Sequence, residues 1–108
     1  TQKPNLSYYG VELVDGLFKD TLPTFVKEHP EPAKFINIDC DLYSSTKDVF
    51  DHVIVQSGTC IYFDEYRWIK GWEKREYAAF MEFIERTGYD YEYILKTDRG
   101  INVLVQLQ

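Results

Sequence analysis

Two apolar runs in this chain end the same way. Phe35-Ile-Asn-Ile-Asp39 is short, mostly apolar and closed by an acid, and Thr59-Cys-Ile-Tyr-Phe63 is closed by Asp64-Glu65. Short apolar runs bounded by turn signals read as buried strands, so strands are predicted over Lys34–Asp39 and Thr59–Phe63. Between them the period changes to that of a helix. Val49, Phe50, Val53 and Ile54 form one stripe, which predicts a helix capped by Ser44 or Ser45 and running through about Val55. Ser57-Gly58 stops it.

The rest of the chain follows the same logic. Thr1–Ser7 is polar and reads as an irregular lead-in, whereas Tyr9–Asp15 alternates and predicts a short strand stopped by Gly16. Lys19–Glu28 predicts a helix with Asp20 or Thr21 as N-cap, Pro23 in its first turn, and Leu22, Phe25 and Val26 on one face. Glu28–Pro32 is a proline turn. Glu73–Thr87 predicts the longest helix, with Tyr77, Phe80, Met81 and Ile84 inward and Gly88 ending it. Tyr89–Lys96 and Ile101–Leu107 read as strands joined by a hairpin at Thr97–Gly100. Alternating strands and helices imply a mostly parallel sheet with helices on both faces, closed by an antiparallel hairpin.

Composition narrows the class. The 108 residues suit a single α/β domain spanning 1–108, and 44% hydrophobic with 17% aromatic content is enough for a packed core. A net charge of −6 argues against nucleic acid and against an anionic membrane surface as partners. No run approaches the ~18 apolar residues of a membrane span, and the first residues lack a signal-peptide pattern. Cys40 and Cys60 lie inside strand patterns without CxxC spacing, so they read as reduced thiols of a cytoplasmic protein. No His/Cys spacing supports a zinc site, and His29 and His52 read as surface residues.

The chemistry concentrates at the two strand ends. Asp39 and Asp64 close neighbouring strands, which is where open α/β sheets place ligands. With Glu65 they form an oxygen-only set that suits Mg²⁺; the competing reading is that these acids only cap the helices that follow. Asp41 reads as a general base or supporting ligand, or equally as an N-cap. Tyr43 and Tyr66 are candidates for lining a substrate pocket, although tyrosines at strand ends more often pack with a bonded tip. Arg67, Trp68, Lys70 and Trp72 form an aromatic and basic loop suited to stacking on a small acceptor, to a lid or to a dimer contact.

Three blocks carry a resemblance. Gly16-Leu-Phe-Lys-Asp20-Thr-Leu-Pro23, Ile38-Asp-Cys-Asp-Leu-Tyr-Ser-Ser-Thr46 and Gly58-Thr-Cys-Ile-Tyr-Phe-Asp-Glu-Tyr66 are followed by Gly71-Trp72 and Ala79-Phe80-x-x-Phe83. Together they resemble the macrocin O-methyltransferase family, from about Val11 onward. The resemblance implies a three-layer Rossmann-like sheet of strand order 3-2-1-4-5-7-6. It also implies S-adenosylmethionine as methyl donor, and a sugar or small natural-product hydroxyl as acceptor, held and activated by Mg²⁺ on Asp39, Asp64 and Glu65. Family members commonly carry Asp-Asp where this chain has Asp64-Glu65. In such enzymes a Gly-rich turn after the first strand and an acid after the second hold the cofactor; no G-x-G occurs here. The resemblance therefore implies a C-terminal half lacking the first two strands, with an incomplete cofactor site and no activity on its own.

Lacking those strands, Phe35–Asp39 would be an open apolar edge. Two outcomes follow: collapse of Val11–Val14 onto it, or pairing of two chains, and a homodimer or higher oligomer is expected. The competing function is a non-catalytic, oligomerising remnant of the fold. A phosphate-binding domain of another class has no Gly-rich cradle to support it.

Overall fold

The structure is a computed structural model that describes residues 10–108. Its elements run α1 (Phe18–Glu28), β1 (Phe35–Ile38), α2 (Tyr43–His52), β2 (Cys60–Phe63), a 3-10 turn (Trp72–Lys74), α3 (Glu76–Thr87), β3 (Tyr91–Thr97) and β4 (Asn102–Leu107). A second 3-10 turn, Asp98–Gly100, joins the last two strands.

The four strands form one sheet in the order β1-β2-β4-β3. Only β1 and β2 are parallel; β4 inserts antiparallel between β2 and β3. The sheet is therefore mixed, which corrects the mostly parallel expectation. Strand β1 lies at the edge, as expected, with Phe35 58% exposed.

Alternation along the strands sorts the two faces. Ile38, Ile61, Phe63, Val103, Val105 and Leu107 are buried on one side. Phe50 of α2 and Phe80 of α3 lie against the Phe63 ring at 6.1 and 5.1 Å, and Leu22 of α1 joins the same core. Burial of apolar surface is the main favourable term in folding, and large aromatic rings contribute much of it here. The opposite face carries Asn37, Tyr62, Leu104 and the exposed Phe35 and Leu95. Among the described residues the helices thus cover one face, giving two layers where three were expected.

Several boundaries move for physical reasons. Residues 10–15 form no strand, so the predicted strand at Tyr9–Asp15 is not there; its first residue and the lead-in Thr1–Ser7 lie outside the described residues. The N-caps are Leu17 and Leu42, neither with a side-chain cap bond, and not Asp20, Thr21, Ser44 or Ser45. Thr21 and Thr46 instead hydrogen-bond back to the carbonyls of Leu17 and Leu42 from inside the first turn. Helix α2 stops at His52 because the β-branched run Val53-Ile-Val55 favours extended backbone, and Ala33 N–H captures the Ile54 carbonyl at 2.8 Å. The buried stripe of α3 is Glu76, Ala79, Phe80 and Phe83, one position round from the predicted one, so that Tyr77, Met81 and Ile84 flank it. Gly88 ends α3 at φ 78°, as its sequence position suggested.

Candidate active site at the paired strand ends

Register fixes the centre of the site. Ile38 and Phe63 are the last paired residues of β1 and β2, and the Asp64 N–H reaches the Ile38 carbonyl at 3.2 Å. The next residue on each strand is an aspartate, so Asp39 and Asp64 stand side by side. The charge of Asp64 is the main reason the Asp39 carboxyl sits above the ordinary carboxylate range; burial, Asp41 and a hydrogen bond to Asp64 add to it. Two like charges this close favour a shared proton or a cation.

A second acid pair lies beside the first. Glu65 is raised mainly by burial, and next by the charge and hydrogen bond of Asp41, while Arg75 opposes the shift. The Arg75 guanidinium lies 4.0 Å from Glu65. The structure therefore brings together Asp39 with Asp64 and Asp41 with Glu65. Among the described residues no three His, Cys, Asp or Glu side chains converge closely enough to hold a metal.

Asp41 takes neither N-cap geometry nor ordinary φ. It sits at φ 65°, a left-handed conformation that aspartate tolerates better than most residues. Its N–H points to Glu76 Oε2 at 3.2 Å, and Glu65 N–H points to Glu76 Oε1 at 3.2 Å. Glu76, fully buried at the start of α3, thus joins the two acid turns. Burial pushes its carboxyl up to about 7, against the two backbone hydrogen bonds that lower it. Sequence reading missed this residue, because it occupies a position of apolar periodicity in a helix rich in glutamate.

The predicted substrate residues are placed in three different ways. Tyr43 donates its hydroxyl to Glu82, bridging α2 and α3. Tyr66 is fully buried, with its hydroxyl 2.8 Å from that of Tyr93 and its ring among Phe63, Tyr77 and Tyr93. Trp68 is 55% exposed at φ 65°, and its indole N–H donates to the Arg99 carbonyl at 2.6 Å. Trp72 lies 5.4 Å from Trp68 and edge-on to Tyr77 at 5.0 Å. Arg67 lies over the rings of Tyr66, Tyr77 and Tyr93 at 5.2–5.5 Å. Backbone bonds from Tyr66 to Ile101 and from Arg67 to Gly100 dock this loop on the hairpin turn. The hairpin also reaches the acids, since Asn102 Nδ2 donates to the Asp64 carbonyl at 2.6 Å.

Comparison with known proteins shows the family of the chain. The family model of the macrocin O-methyltransferases (TylF) matches residues 3–87. The chain belongs to the macrocin O-methyltransferase family. The matched residues include both acid turns and α3, and stop before the β3–β4 hairpin. Among solved structures, the fold is similar to apo CalS11, a TDP-rhamnose 3'-O-methyltransferase of calicheamicin biosynthesis. The TM-score is 0.67 at 23% identity, over 86% of this chain. The chain spans 39% of that protein's length. A search of the curated proteins finds no match. The acid turns follow the carboxyl ends of the parallel strands β1 and β2, the end at which open α/β sheets place ligands.

No helix among the described residues is long and apolar enough to cross a membrane. Cys40 and Cys60 are free and half-buried.

Proposed function

We propose that this chain is the acceptor side of an S-adenosylmethionine-dependent O-methyltransferase that acts on a hydroxyl of a sugar or small natural product. The observation that carries the reading is the Asp39/Asp64 pair at the register-matched ends of β1 and β2 in a macrocin O-methyltransferase family member. The similarity to a TDP-rhamnose 3'-O-methyltransferase supports a sugar hydroxyl as acceptor.

The residues fit Mg²⁺ in one respect. Two adjacent carboxylates are as many as Mg²⁺ commonly takes from a protein, the rest of its shell being water and substrate oxygen. Asp39 and Asp64 would hold it, while Glu65 engages Asp41 and Arg75. When bound, the ion lowers the pKa of a coordinated hydroxyl. Methyl transfer releases that hydroxyl's proton, and the exposed carboxylates of Asp39 and Asp41 are the candidate bases that would take it.

The residues do not fit S-adenosylmethionine to the same degree. The described strand ends carry acids and no Gly-rich turn to cradle its methionine part. The reading leaves the cofactor half, including the first two strands, to the part of the relatives' fold that these residues do not span.

Calorimetric titration with Mg²⁺ tests the proposal. Binding that disappears in the Asp39→Asn, Asp64→Asn double variant supports it. Unchanged binding in that variant sinks the metal assignment.

A second reading, an oligomerising remnant without catalysis, draws on the open β1 edge and on the exposed Phe35 and Leu95 of the uncovered sheet face. It expects a homodimer with β1 pairing to β1. Light scattering of Phe35→Lys against the unsubstituted chain tests this edge: a shift from dimer to monomer supports pairing through it, and an unchanged mass rules it out.

A further inference from the structure

Glu76 is the one charged side chain placed wholly inside the core of the described residues. None of the four ion pairs there includes it. Its carboxylate oxygens instead accept one backbone N–H each, from Asp41 and from Glu65, both at 3.2 Å. Those amides belong to different turns: one follows Asp39 by two residues, the other follows Asp64 directly. An apolar side chain at this helix position would pack without the cost of burying a carboxylate. Only Asp and Glu carry two equivalent acceptors on one rigid plane, and Asp is a methylene shorter.

We infer that Glu76 is a positioning residue that clamps the β1–α2 and post-β2 turns together, one carboxylate oxygen on each, and so sets the separation of Asp39 and Asp64. Two features accompany the clamp. Asp41 holds the left-handed backbone, φ 65°, from which its N–H reaches Glu76. Arg75, next to Glu76 in the chain, extends to Glu65 on the same turn that Glu76 grips. The start of α3 therefore fixes the second acid turn from two adjacent residues. The inference rests on the reading of Asp39 and Asp64 as a cation-binding pair, and its test keeps the two claims apart.

Amide hydrogen exchange at Asp41 and Glu65 reports the clamp with no metal present. Mn²⁺ titration followed by electron paramagnetic resonance reports the acid pair. In Glu76→Gln one oxygen acceptor remains, so one of the two amides is expected to lose protection. In Glu76→Leu both are. Each variant should weaken Mn²⁺ binding by about 10–100-fold, as loss of a group that orients ligands commonly does. Glu85→Gln on the exposed side of α3 should change neither readout. Full protection at both amides in Glu76→Gln and Glu76→Leu overturns the clamp, whatever Mn²⁺ does. Protection lost with unchanged Mn²⁺ affinity overturns the positioning role. If the unsubstituted chain binds no Mn²⁺, or Asp39→Asn leaves binding intact, the cation reading fails, and with it Glu76's role in setting that site.

Discussion

Asn102 donates its side-chain amide to the Asp64 carbonyl at 2.6 Å, and Thr97 in turn donates to Asn102 Oδ1 at 2.6 Å. The hairpin that ends the chain thereby holds the turn of an acid 38 residues earlier. Removing one partner of a half-buried hydrogen bond costs about 1–3 kcal/mol when the other is left unsatisfied. Asn102→Ala is expected to lose that much in urea unfolding. It should also raise exchange at the Asp64–Glu65 amides relative to those of β1. A stability loss with no change in exchange there would mean that Asn102 serves only the hairpin.

Asp39 and Asp64 repel each other at neutral pH, and the repulsion holds Asp39 above its ordinary range. Removing one charge should therefore stabilise the metal-free protein while removing its response to a cation. The expected result is that Asp39→Asn melts higher than the unsubstituted chain in EDTA, and that the order reverses in saturating Mg²⁺. Equal melting temperatures in EDTA would show that the two carboxylates do not sense each other.

Much of this site was legible in the sequence, and the reason is geometric. A strand followed by an acid fixes where the acid goes once the strand partner is known, and Phe35–Ile38 and Cys60–Phe63 were both readable. What was not legible depends on contacts far apart in the chain. Glu76 meets Asp41 across 35 residues and Asn102 meets Asp64 across 38, and neither separation leaves a local pattern. Tyr66 was readable in the commoner of its two readings: a tyrosine after a strand end more often packs with a bonded tip than lines a pocket, and Tyr66 is buried with its hydroxyl 2.8 Å from that of Tyr93. Which rings enclose it was not legible, because Phe63, Tyr77, Phe80 and Tyr93 come from three other segments. Strand Tyr9–Asp15 failed for a related reason. Alternation describes a strand only if a neighbour offers a ladder, and the described residues 10–15 pair with none.

Arg67 makes a prediction about the loop that carries the tryptophans. Its guanidinium faces three tyrosine rings, donates to the Tyr93 hydroxyl at 3.3 Å and leaves Nε buried without a hydrogen-bond partner. Cation–π contacts contribute about 0.5–2 kcal/mol depending on desolvation. Arg67→Met keeps the stem and removes the charge, so a loss in that range is expected in urea unfolding. Trp68 and Trp72 lie 5.4 Å apart in this loop, so the fluorescence of the folded state should change as well. An unchanged spectrum would mean that the hydrogen bond from Trp68 to Arg99 holds the loop by itself.

Glu76 gives the fold a pH dependence of definite sign. Its carboxyl is raised from 4.5 to about 7 by burial, so between those values the folded chain keeps a proton that the unfolded chain releases. Stability from this group is full below about pH 4.5 and falls as pH rises to about 7, since the native state is then the one that binds more protons. The difference across the window is on the order of 3 kcal/mol at 1.36 kcal/mol per pKa unit. Urea unfolding in EDTA should show lower stability at pH 8 than at pH 5, with most of that slope absent in Glu76→Gln. The comparison isolates Glu76 from Asp39 and Glu65, which are also raised, because both remain in the variant. If the slope persists in Glu76→Gln, the acids at the strand ends carry it, and the buried carboxylate is tuned by its two amide donors to stay ionised throughout.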